Sequence, residues 1–300
     1  MNVIECQNVT KQYRGVHALN HLSFTIEPNT ITGVIGRNGA GKTTLLKILA
    51  GFHLPTEGDV RVFSENPFNN LKVSSNLIFI DDNMVFPPGL TLVEILESAR
   101  SFYPNWDHEI ANGLFQYFDF NPKQYHQHLS KGMKSTFNMI IGLSSRCPLT
   151  IFDEPTTGMD ASVRKDFYKA LLKDYIERPR TILISSHLLN EIDSLLENVL
   201  LIRKGKLALH LPVTDLKEYA IGLSGKKNII DEFTSNMEII HEESFGSDSI
   251  YTVVKNTTPD LTKEKAKKLG IDLLPVTTDD LCVYLTAKNK GGINDVFNRG

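Results

Sequence analysis

The sequence predicts an α/β fold built around a parallel sheet, and two features carry that prediction. Short apolar runs with the length of buried strands occur at residues 31–35, 149–152 and 181–186. Segments with helical spacing follow the first two of these runs, beginning near Leu45 and Ala161. Strands that alternate with helices in this way are typical of sheets whose neighbouring strands run parallel.

Size and composition are those of an ordinary globular protein. The chain has 300 residues, of which 41% are hydrophobic and 22% charged, enough for one large or two ordinary domains. A net charge of -3 gives no electrostatic argument for nucleic-acid binding, so we expect no nucleic-acid partner. The three cysteines are far apart and lack metal-ligand spacing, which favours a reduced cytoplasmic setting.

Membrane segments are not expected in this chain. No apolar run approaches the roughly 18 residues needed to span a bilayer. The first residues, MNVIECQN, lack the basic start and apolar stretch of a signal peptide. Any role at a membrane should therefore require a partner protein.

The first segments are predicted as strands. Residues 2–9 and 21–27 alternate apolar and polar side chains. Tyr13 lies between them, two residues before Gly15. Taken alone, this aromatic would be assigned to the core, but ahead of a phosphate-binding loop it is a candidate for stacking on adenine.

That loop is the sequence GRNGAGKTT at residues 36–44, which stands between a predicted strand and a predicted helix. Its three glycines allow backbone angles and close approaches that side chains forbid, so successive N–H groups can point at phosphate oxygens. Lys42 is placed to reach the β- and γ-phosphates, and the Thr43 hydroxyl to bind Mg²⁺. The complete G-x4-G-K-T spacing predicts a nucleotide-phosphate site.

A helical insert is predicted inside the α/β domain. After an apolar run at residues 77–80, the pattern turns helical from 91 to about 145, within a helical subdomain at about 83–146. Two sets of residues are predicted to share helix faces: Leu92, Ile95 and Leu96, and Ile110, Leu114 and Tyr117.

Two carboxylates end the apolar run at 149–152. Asp153 is placed to hold Mg²⁺ directly or through water, and Glu154 to orient or deprotonate an attacking water. An acidic pair at a strand end is usually a solvated loop entry, but downstream of a phosphate loop the functional reading is favoured. His187 ends the next strand, where its imidazole can reach a γ-phosphate, because ligands collect at the carboxyl ends of parallel strands.

The remainder of the chain carries fewer signals. Residues 188–197 are predicted as a helix and 199–209 as a hairpin turning at Lys204 and Gly205. We place a domain boundary at Pro212, which gives domains at 1–212 and 213–300.

The second domain is predicted to be a small α/β accessory domain without a chemical motif. Expected strands lie at 229–230, 237–240 and 250–254, and expected helices at 260–269 and 278–287. The tail at 288–300 is expected to be loose. A role in contact or regulation and a role as a packing appendage are equally open.

The segment LSKGM at residues 129–133 decides between classes of phosphate-loop protein. By itself it is a turn followed by a helix with Ser130 as N-cap. It lies 23 residues before Asp153, and that combination resembles the ATP-binding cassette (ABC) family, whose LSGGQ-type signature precedes its magnesium aspartate by a similar interval. The resemblance covers roughly residues 1–211. It implies a P-loop NTPase core with a parallel sheet, an antiparallel β subdomain and a helical subdomain.

The resemblance also implies roles for individual residues. The phosphates of ATP would be surrounded by Gly36, Arg37, Asn38, Gly39, Ala40, Gly41, Lys42, Thr43 and Thr44. Tyr13 would stack on adenine, and Thr43, Asp153 and Asp82 would serve Mg²⁺. Lys42, Glu154 and His187 would carry catalysis, with Glu154 as base and His187 as γ-phosphate sensor. Ser130 and Gly132 would contact ATP bound to a second cassette, so that each complete site needs two chains.

Two residues depart from the family pattern. Asp82, nine residues before Thr91, stands where the family has glutamine, so its metal contact would need a water. Lys131 stands where the family commonly has glycine, and its cation would either add affinity for the partner's phosphates or point into solvent. Both departures leave Lys42, Asp153, Glu154 and His187 in place, so we expect hydrolysis to survive.

The leading hypothesis is an ATP-hydrolysing subunit that dimerises on ATP, with itself or with a related ATPase. It would power a bacterial exporter with separate transmembrane subunits at the cytoplasmic face of the membrane. The SKGM form of the signature suggests ATPases of antibiotic-response and cytolytic-peptide export. One alternative is a regulator acting on a soluble complex such as the ribosome. Another is a weakly hydrolysing cassette paired with a more active sister.

Overall fold

The computed structural model describes residues 2–187, 189–245, 248–257 and 259–287. The chain forms two compact units, residues 1–210 and 211–300. Each unit has a hydrophobic core of its own. Within the described ranges, no helix is both long enough and apolar enough to cross a bilayer.

The first unit contains two sheets, six α-helices and a short 3-10 helix (His126–His128) among its described residues. Its strands are β1 (Ile4–Tyr13), β2 (Val16–Ile26), β3 (Ile31–Ile35), β4 (Glu57–Val62), β5 (Leu77–Ile80), β6 (Leu149–Asp153), β7 (Thr181–Ser186), β8 (Asn198–Arg203) and β9 (Lys206–Pro212). Its helices are α1 (Lys42–Leu49), α2 (Leu71–Ser74), α3 (Leu92–Phe102), α4 (His108–Tyr117), α5 (Lys131–Ser145) and α6 (Ala161–Glu177).

The larger sheet has the strand order β5-β6-β7-β3-β8-β9, and its first five strands run parallel. Every residue of β3, β6 and β7 is buried, as expected for central strands covered on both faces. The smaller sheet is antiparallel, in the order β2-β1-β4. The predicted α/β class with a parallel sheet and an antiparallel β part is confirmed.

The helical insert follows β5, as predicted, and its first helix has the predicted face. Leu92, Ile95 and Leu96 of α3 are all buried. In α4, Ile110, Leu114 and Tyr117 do lie on one helix, but the buried residues are Ala111 and Phe115, while Ile110 and Leu114 are partly buried and Tyr117 is 64% exposed. Local spacing fits both faces, and packing on α5 selects the one that buries the Phe115 ring against Phe137 and Phe120.

The predicted helix at 188–197 was wrong within the described residues 189–197, which form consecutive turns. Leu189 O accepts hydrogen bonds from both Ile192 N at 3.0 Å and Asp193 N at 2.8 Å, and the ladder does not continue as a helix. The side chain of Leu196 occupies the space beside Gly33 of β3, where an added Cβ would lie 2.4 Å from Leu196 Cδ1. Burial of these leucines against the sheet overrides their helix propensity.

A buried ionic cluster joins the end of α5 to α6. Arg146 Nε and Nη2 donate to Asp174 Oδ1 at 3.0 and 2.9 Å, and Arg180 Nη1 donates to Asp174 Oδ2 at 2.6 Å. Arg146 also pairs with Asp107 at 2.7 Å. The side chain of Asp174 is 2% exposed, and its carboxylate is shared by the two buried guanidinium groups.

The second unit is a small α/β domain. Its described elements are α7 (Val213–Glu218), β10 (Ala220–Lys226), α8 (Lys227–Thr234), β11 (Ile239–Phe245), β12 (Ser249–Lys255), α9 (Pro259–Lys268), β13 (Asp272–Pro275) and α10 (Thr278–Thr286). The sheet order is β11-β12-β10-β13, and all neighbours are antiparallel. This β-α-β-β-α-β arrangement is a ferredoxin-like topology.

Sequence patterns located the second unit only in part. The strand at 250–254 and the helices at 260–269 and 278–287 are confirmed with small shifts in their ends. The strand at 229–230 was wrong, because both isoleucines belong to α8 and pack on the core through the helix. The predicted loose tail at 288–300 lies outside the described residues.

Candidate functional site

The glycine loop lies between β3 and α1, as predicted, and two of its glycines have backbone conformations that favour glycine. Gly39 has φ of 79° and Gly41 has φ of 111°. A Cβ on Gly41 would also lie 2.5 Å from the carbonyl oxygen of Ala18, so both conformation and space require glycine there. Gly36 is fixed by space, since a Cβ would lie 2.5 Å from the carbonyl oxygen of Ile202.

The start of α1 offers its backbone N–H groups to a ligand. Its N-cap, Gly41, has no side chain to cap the first turn. Arg37, Asn38 and Thr43 are exposed, whereas Ala40 is buried. The loop is held by hydrogen bonds from Ala40 N to Arg37 O and from Gly205 N to Ala40 O, at 2.9 and 2.8 Å. This arrangement has the features of an anion-binding helix N-terminus.

Lys42 links the loop to the acidic strand end. Its side chain is 6% exposed, and Nζ donates to Gly36 O at 2.6 Å and lies 3.1 Å from Glu154 Oε1. The second carboxylate oxygen of Glu154 accepts a hydrogen bond from His187 Nδ1 at 2.8 Å. Three residues proposed from separate sequence segments therefore meet in one cluster.

Ser185 of β7 holds both carboxylate residues at the end of β6, and sequence reasoning missed it. Its hydroxyl donates to Asp153 Oδ1 at 2.6 Å and accepts from Glu154 N at 2.9 Å. Parallel pairing places Ser185 beside Asp153 in register. The only local signal was a serine pair at the end of an apolar strand.

Glu154 has a backbone conformation that is unusual for a residue with a side chain. Its φ is 49°, in the left-handed region. The carbonyl oxygen of Glu154 accepts hydrogen bonds from Thr157 N at 3.2 Å and Thr157 Oγ1 at 2.8 Å. Contacts on both sides of the residue therefore stabilise the turn that aims its carboxylate at Lys42.

Asp81 is a second acidic residue at this edge that sequence reasoning did not single out. Ile80 pairs with Phe152, so the next residue of each chain segment, Asp81 and Asp153, lie side by side. Burial raises the pKa of Asp81, and the charge of Asp153 raises it further, while Lys47, at 3.9 Å, opposes the shift. A cation between Asp81 and Asp153 would relieve their repulsion.

Asp82, the neighbouring residue, makes a different contact. Its Oδ2 lies 3.3 Å from Lys131 Nζ, and its Oδ1 accepts from Asn83 Nδ2 at 2.8 Å. The two residues that depart from the family pattern are thus paired with each other. The structure directs the Asp82 carboxylate to the start of α5, and it puts Asp81 beside Asp153.

The contacts of three more predicted residues, Tyr13, Ser130 and Gly132, are with residues outside the cluster of Lys42, Glu154 and His187. Tyr13 ends β1 with 43% of its surface exposed, and Lys11 Nζ lies 5.1 Å from the centre of its ring. Ser130 caps α5 by accepting from Met133 N at 3.3 Å. Gly132 packs on the chain after Glu154, where an added Cβ would lie 2.3 Å from the carbonyl oxygen of Gly158.

A glycine loop at a helix N-terminus, a buried lysine within it and carboxylates at the end of a neighbouring strand define a P-loop nucleotide hydrolase. Comparison with known proteins narrows the class. A family profile described as "ABC transporter" matches residues 19–157. The bacitracin transport ATP-binding protein of Bacillus licheniformis is 30% identical over 290 residues, which cover 93% of this chain and 94% of that protein. The chain belongs to the ABC transporter family as one of its ATP-hydrolysing, ATP-binding proteins.

Other relatives agree with this assignment. The SkfA peptide export ATP-binding protein of Bacillus subtilis (strain 168) is 30% identical over 225 residues, covering 73% of this chain and 93% of its own length. Among solved structures, an ATP-binding subunit of an ABC transporter aligns with a TM-score of 0.64 at 22% identity, over 72% of this chain and 92% of that chain. At that identity the structural likeness shows the fold. The predicted family is confirmed.

Proposed function

We propose that this chain is the ATPase subunit of a bacterial membrane exporter and that ATP binding brings two cassettes together. The single observation that carries the enzymatic part is the cluster of Lys42, Glu154 and His187 at the glycine loop, with contacts of 3.1 and 2.8 Å. The transport part is supported by relatives named for bacitracin transport and for peptide export, the first of which matches over 93% of this chain.

In this proposal the phosphates of ATP take the place that Glu154 now holds on Lys42. The loop residues Gly36 to Thr44 supply backbone N–H groups, and the Lys42 ammonium turns from Glu154 to the β- and γ-phosphates. Glu154 is then free to orient and deprotonate the attacking water, while His187 remains within reach of the γ-phosphate. Tyr13, exposed at the end of β1, would stack on the adenine.

The side chains around the loop fit a magnesium ion. Thr43 offers an exposed hydroxyl, and Ser185 fixes one oxygen of the buried Asp153, which orients the other for the metal or its water. A magnesium ion at this place would take its remaining ligands from phosphate oxygens and waters. When bound, Mg²⁺ would neutralise charge on the phosphates.

Asp81 is better positioned than Asp82 to lie near that ion. Asp81 follows the residue paired with Phe152 and lies beside Asp153, whereas the Asp82 carboxylate is bound to Lys131 at 3.3 Å. We therefore propose Thr43 and Asp153 as metal-binding residues with Asp81 close by. The original assignment of Asp82 remains a prediction that mutation of each aspartate can test.

Partners follow from the family. The proposed ATP-bound state is a dimer, with a second copy or a related ATPase, in which Ser130 and Gly132 of one chain reach the nucleotide of the other. Separate transmembrane subunits would carry the export pathway and hold the ATPase at the cytoplasmic face of the membrane. The second unit, residues 211–300, would act as an accessory domain for contact or regulation.

One assay tests the enzymatic part of the proposal. Purified wild type should release phosphate from ATP in a magnesium-dependent reaction, and Lys42→Met should lose that activity by at least about 100-fold, because a charged phosphate contact is removed. Lys72→Met is the matched control, since Lys72 is 62% exposed and pairs with Glu65 away from the loop. Equal activity of Lys42→Met and the control would contradict the site.

A second experiment separates export from the alternatives. Affinity purification from detergent-solubilised membranes should recover a polytopic membrane protein with this chain. Recovery with ribosomes alone would instead support a regulator of a soluble complex. Phosphate release that appears only when a related ATPase is added would support the weakly hydrolysing cassette.

A further inference from the structure

Helix α5 carries a row of polar side chains on a face that meets the acidic end of the sheet. From Ser135 to Ser145 every residue of α5 is buried, including several with polar side chains. Lys131, Ser135 and Asn138 are spaced four and three residues apart, which puts them on one side of the helix. We name this row the polar stripe of α5. Buried polar groups are costly unless they are paired, so their partners are informative.

Ser135 binds the chain that follows Glu154. Its hydroxyl donates to Thr157 O at 2.8 Å. Thr157 in turn donates to Glu154 O through both N and Oγ1. Thr157 alone therefore links Ser135 to the left-handed turn that aims the Glu154 carboxylate.

Asn138 binds the chain that follows β5. The residue is 1% exposed, and its Nδ2 donates to Asp81 O at 3.2 Å. Its Oδ1 accepts from His126 Nε2 at 2.9 Å. Both ends of the Asn138 amide are thus satisfied, and its orientation is fixed by the two partners.

Lys131 adds an outer contact to the same segment through Asp82 at 3.3 Å. Lys131 is 61% exposed and Asp82 35% exposed, so solvent screening leaves this pair weaker than the buried hydrogen bonds. All three members of the stripe consequently hold either the segment after β5 or the segment after β6. Asp81 and Glu154 belong to those two segments.

We propose that the polar stripe of α5 fixes the distance between the Asp81 segment and the Glu154 segment, and that Ser135 and Asn138 are positioning residues for ATP hydrolysis. This inference rests on the proposed function. Neither side chain touches the reacting atoms, because each acts through a backbone carbonyl. Their effect on turnover comes from the placement of two acidic segments, and small misplacements of catalytic groups lower rates strongly.

The test compares Ser135→Ala, Asn138→Leu and the double variant with the full-length wild type. Each single change should lower kcat about tenfold and raise the magnesium concentration for half-maximal activity, while KM for ATP changes less than about twofold. The loss of kcat in the double variant should be much smaller than the product of the two single losses. Breaking either hydrogen bond already releases the distance between the Asp81 segment and the Glu154 segment.

Ser145→Ala is the matched control. Ser145 is buried in the same helix, but its hydroxyl donates to Gly142 O within α5 itself, at 2.9 Å. This variant should lose thermal stability without the change in kcat or magnesium dependence. If Asn138→Leu does not fold, Asn138→Asp replaces it, since it keeps the size and the acceptor oxygen but removes the donor to Asp81 O.

Two results would overturn the inference. The first is a wild-type kcat and magnesium dependence in Ser135→Ala and in the Asn138 variant, with only thermal stability lowered. The second is a double variant whose effect equals the product of the single effects, since the two contacts would then act independently. A wild type without ATP hydrolysis would instead refute the proposed function, and the two failures are therefore distinguishable.

Discussion

Replacement of Glu154 by glutamine should strengthen ATP binding while it stops turnover. The Lys42 ammonium lies 3.1 Å from Glu154 Oε1. A triphosphate must therefore compete with this carboxylate for the same cation. Glutamine keeps the shape of the side chain and removes its charge, so the competition weakens. The same change removes the proposed base.

The size of the binding effect follows from the burial of the pair. Lys42 is 6% exposed and Glu154 is 26% exposed, so the pair is only partly shielded from water. A hydrogen bond to a charged group contributes about 1.5–3 kcal/mol. Solvent access and the neutral hydrogen bond that glutamine retains reduce the difference to about 1 kcal/mol, which is about fivefold in Kd. Loss of a general base lowers turnover on the order of 10²- to 10⁴-fold.

Calorimetric titration with ATP and a steady-state phosphate assay measure the two effects on the same preparation. Light scattering with ATP and Mg²⁺ should also detect a long-lived dimer of Glu154→Gln. Glu197→Gln is the control, because Glu197 binds Tyr175 outside the loop. Unchanged or weaker ATP binding would refute the competition between Glu154 and phosphate for Lys42. Phosphate release within tenfold of wild type would refute the role of Glu154 as base.

Three further predictions concern the stability of the first unit, measured by urea unfolding. Gly41→Ala should lower the free energy of unfolding by at least about 2 kcal/mol, because its φ is 111° and the new Cβ would lie 2.5 Å from a backbone oxygen. Gly39→Ala should lower it by about 1–2 kcal/mol, because Gly39 has φ of 79° but open space around the new Cβ. Asp174→Leu should cost about 3–5 kcal/mol, since it leaves two buried arginines without their shared carboxylate, while the exposed control Asp59→Asn should cost no more than about 1 kcal/mol. Burial lowers the pKa of His126 below its unfolded value, so the stability that the neutral side chain contributes is present above about pH 6.5 and is lost as the pH falls. The free energy of unfolding should therefore decrease less between pH 7.5 and 5.5 in His126→Gln than in the wild type, and an equal decrease in both proteins would contradict this reasoning.

The parts of the fold that sequence reasoning located are those with strong local constraints. The strands β3, β6 and β7 each contain a short apolar run of the length of a buried strand, every residue in them is buried, and their bounds were predicted to within a residue. The glycine loop has a fixed spacing in a strand-to-helix context, which local pattern alone reveals. Both kinds of signal depend on consecutive residues and not on the rest of the fold.

The failures occurred where distant segments decide the structure. Residues 189–197 have the spacing of a helix, yet packing against β3 gives them consecutive turns. Asp81 and Asp82 are indistinguishable as consecutive acids in the sequence. Strand register places Asp81 beside Asp153, and Asp82 pairs with Lys131 at the start of α5. Ser185 was missed for the same reason, because its role depends on a strand 32 residues away.

The signature turn illustrates why a motif residue can have more than one structural reason. The family resemblance gives Gly132 a role at the nucleotide of a second cassette. The structure adds a requirement inside the same chain, since a Cβ at this position would lie 2.3 Å from the carbonyl oxygen of Gly158. Gly158 has φ of 81° and lies two residues before the N-cap of α6, so this segment has little freedom to move away. Loss of activity on substitution of Gly132 would therefore not by itself demonstrate contact with nucleotide. Ser130 is the more informative residue, because its recorded contact is the cap of its own helix, which aspartate can also provide.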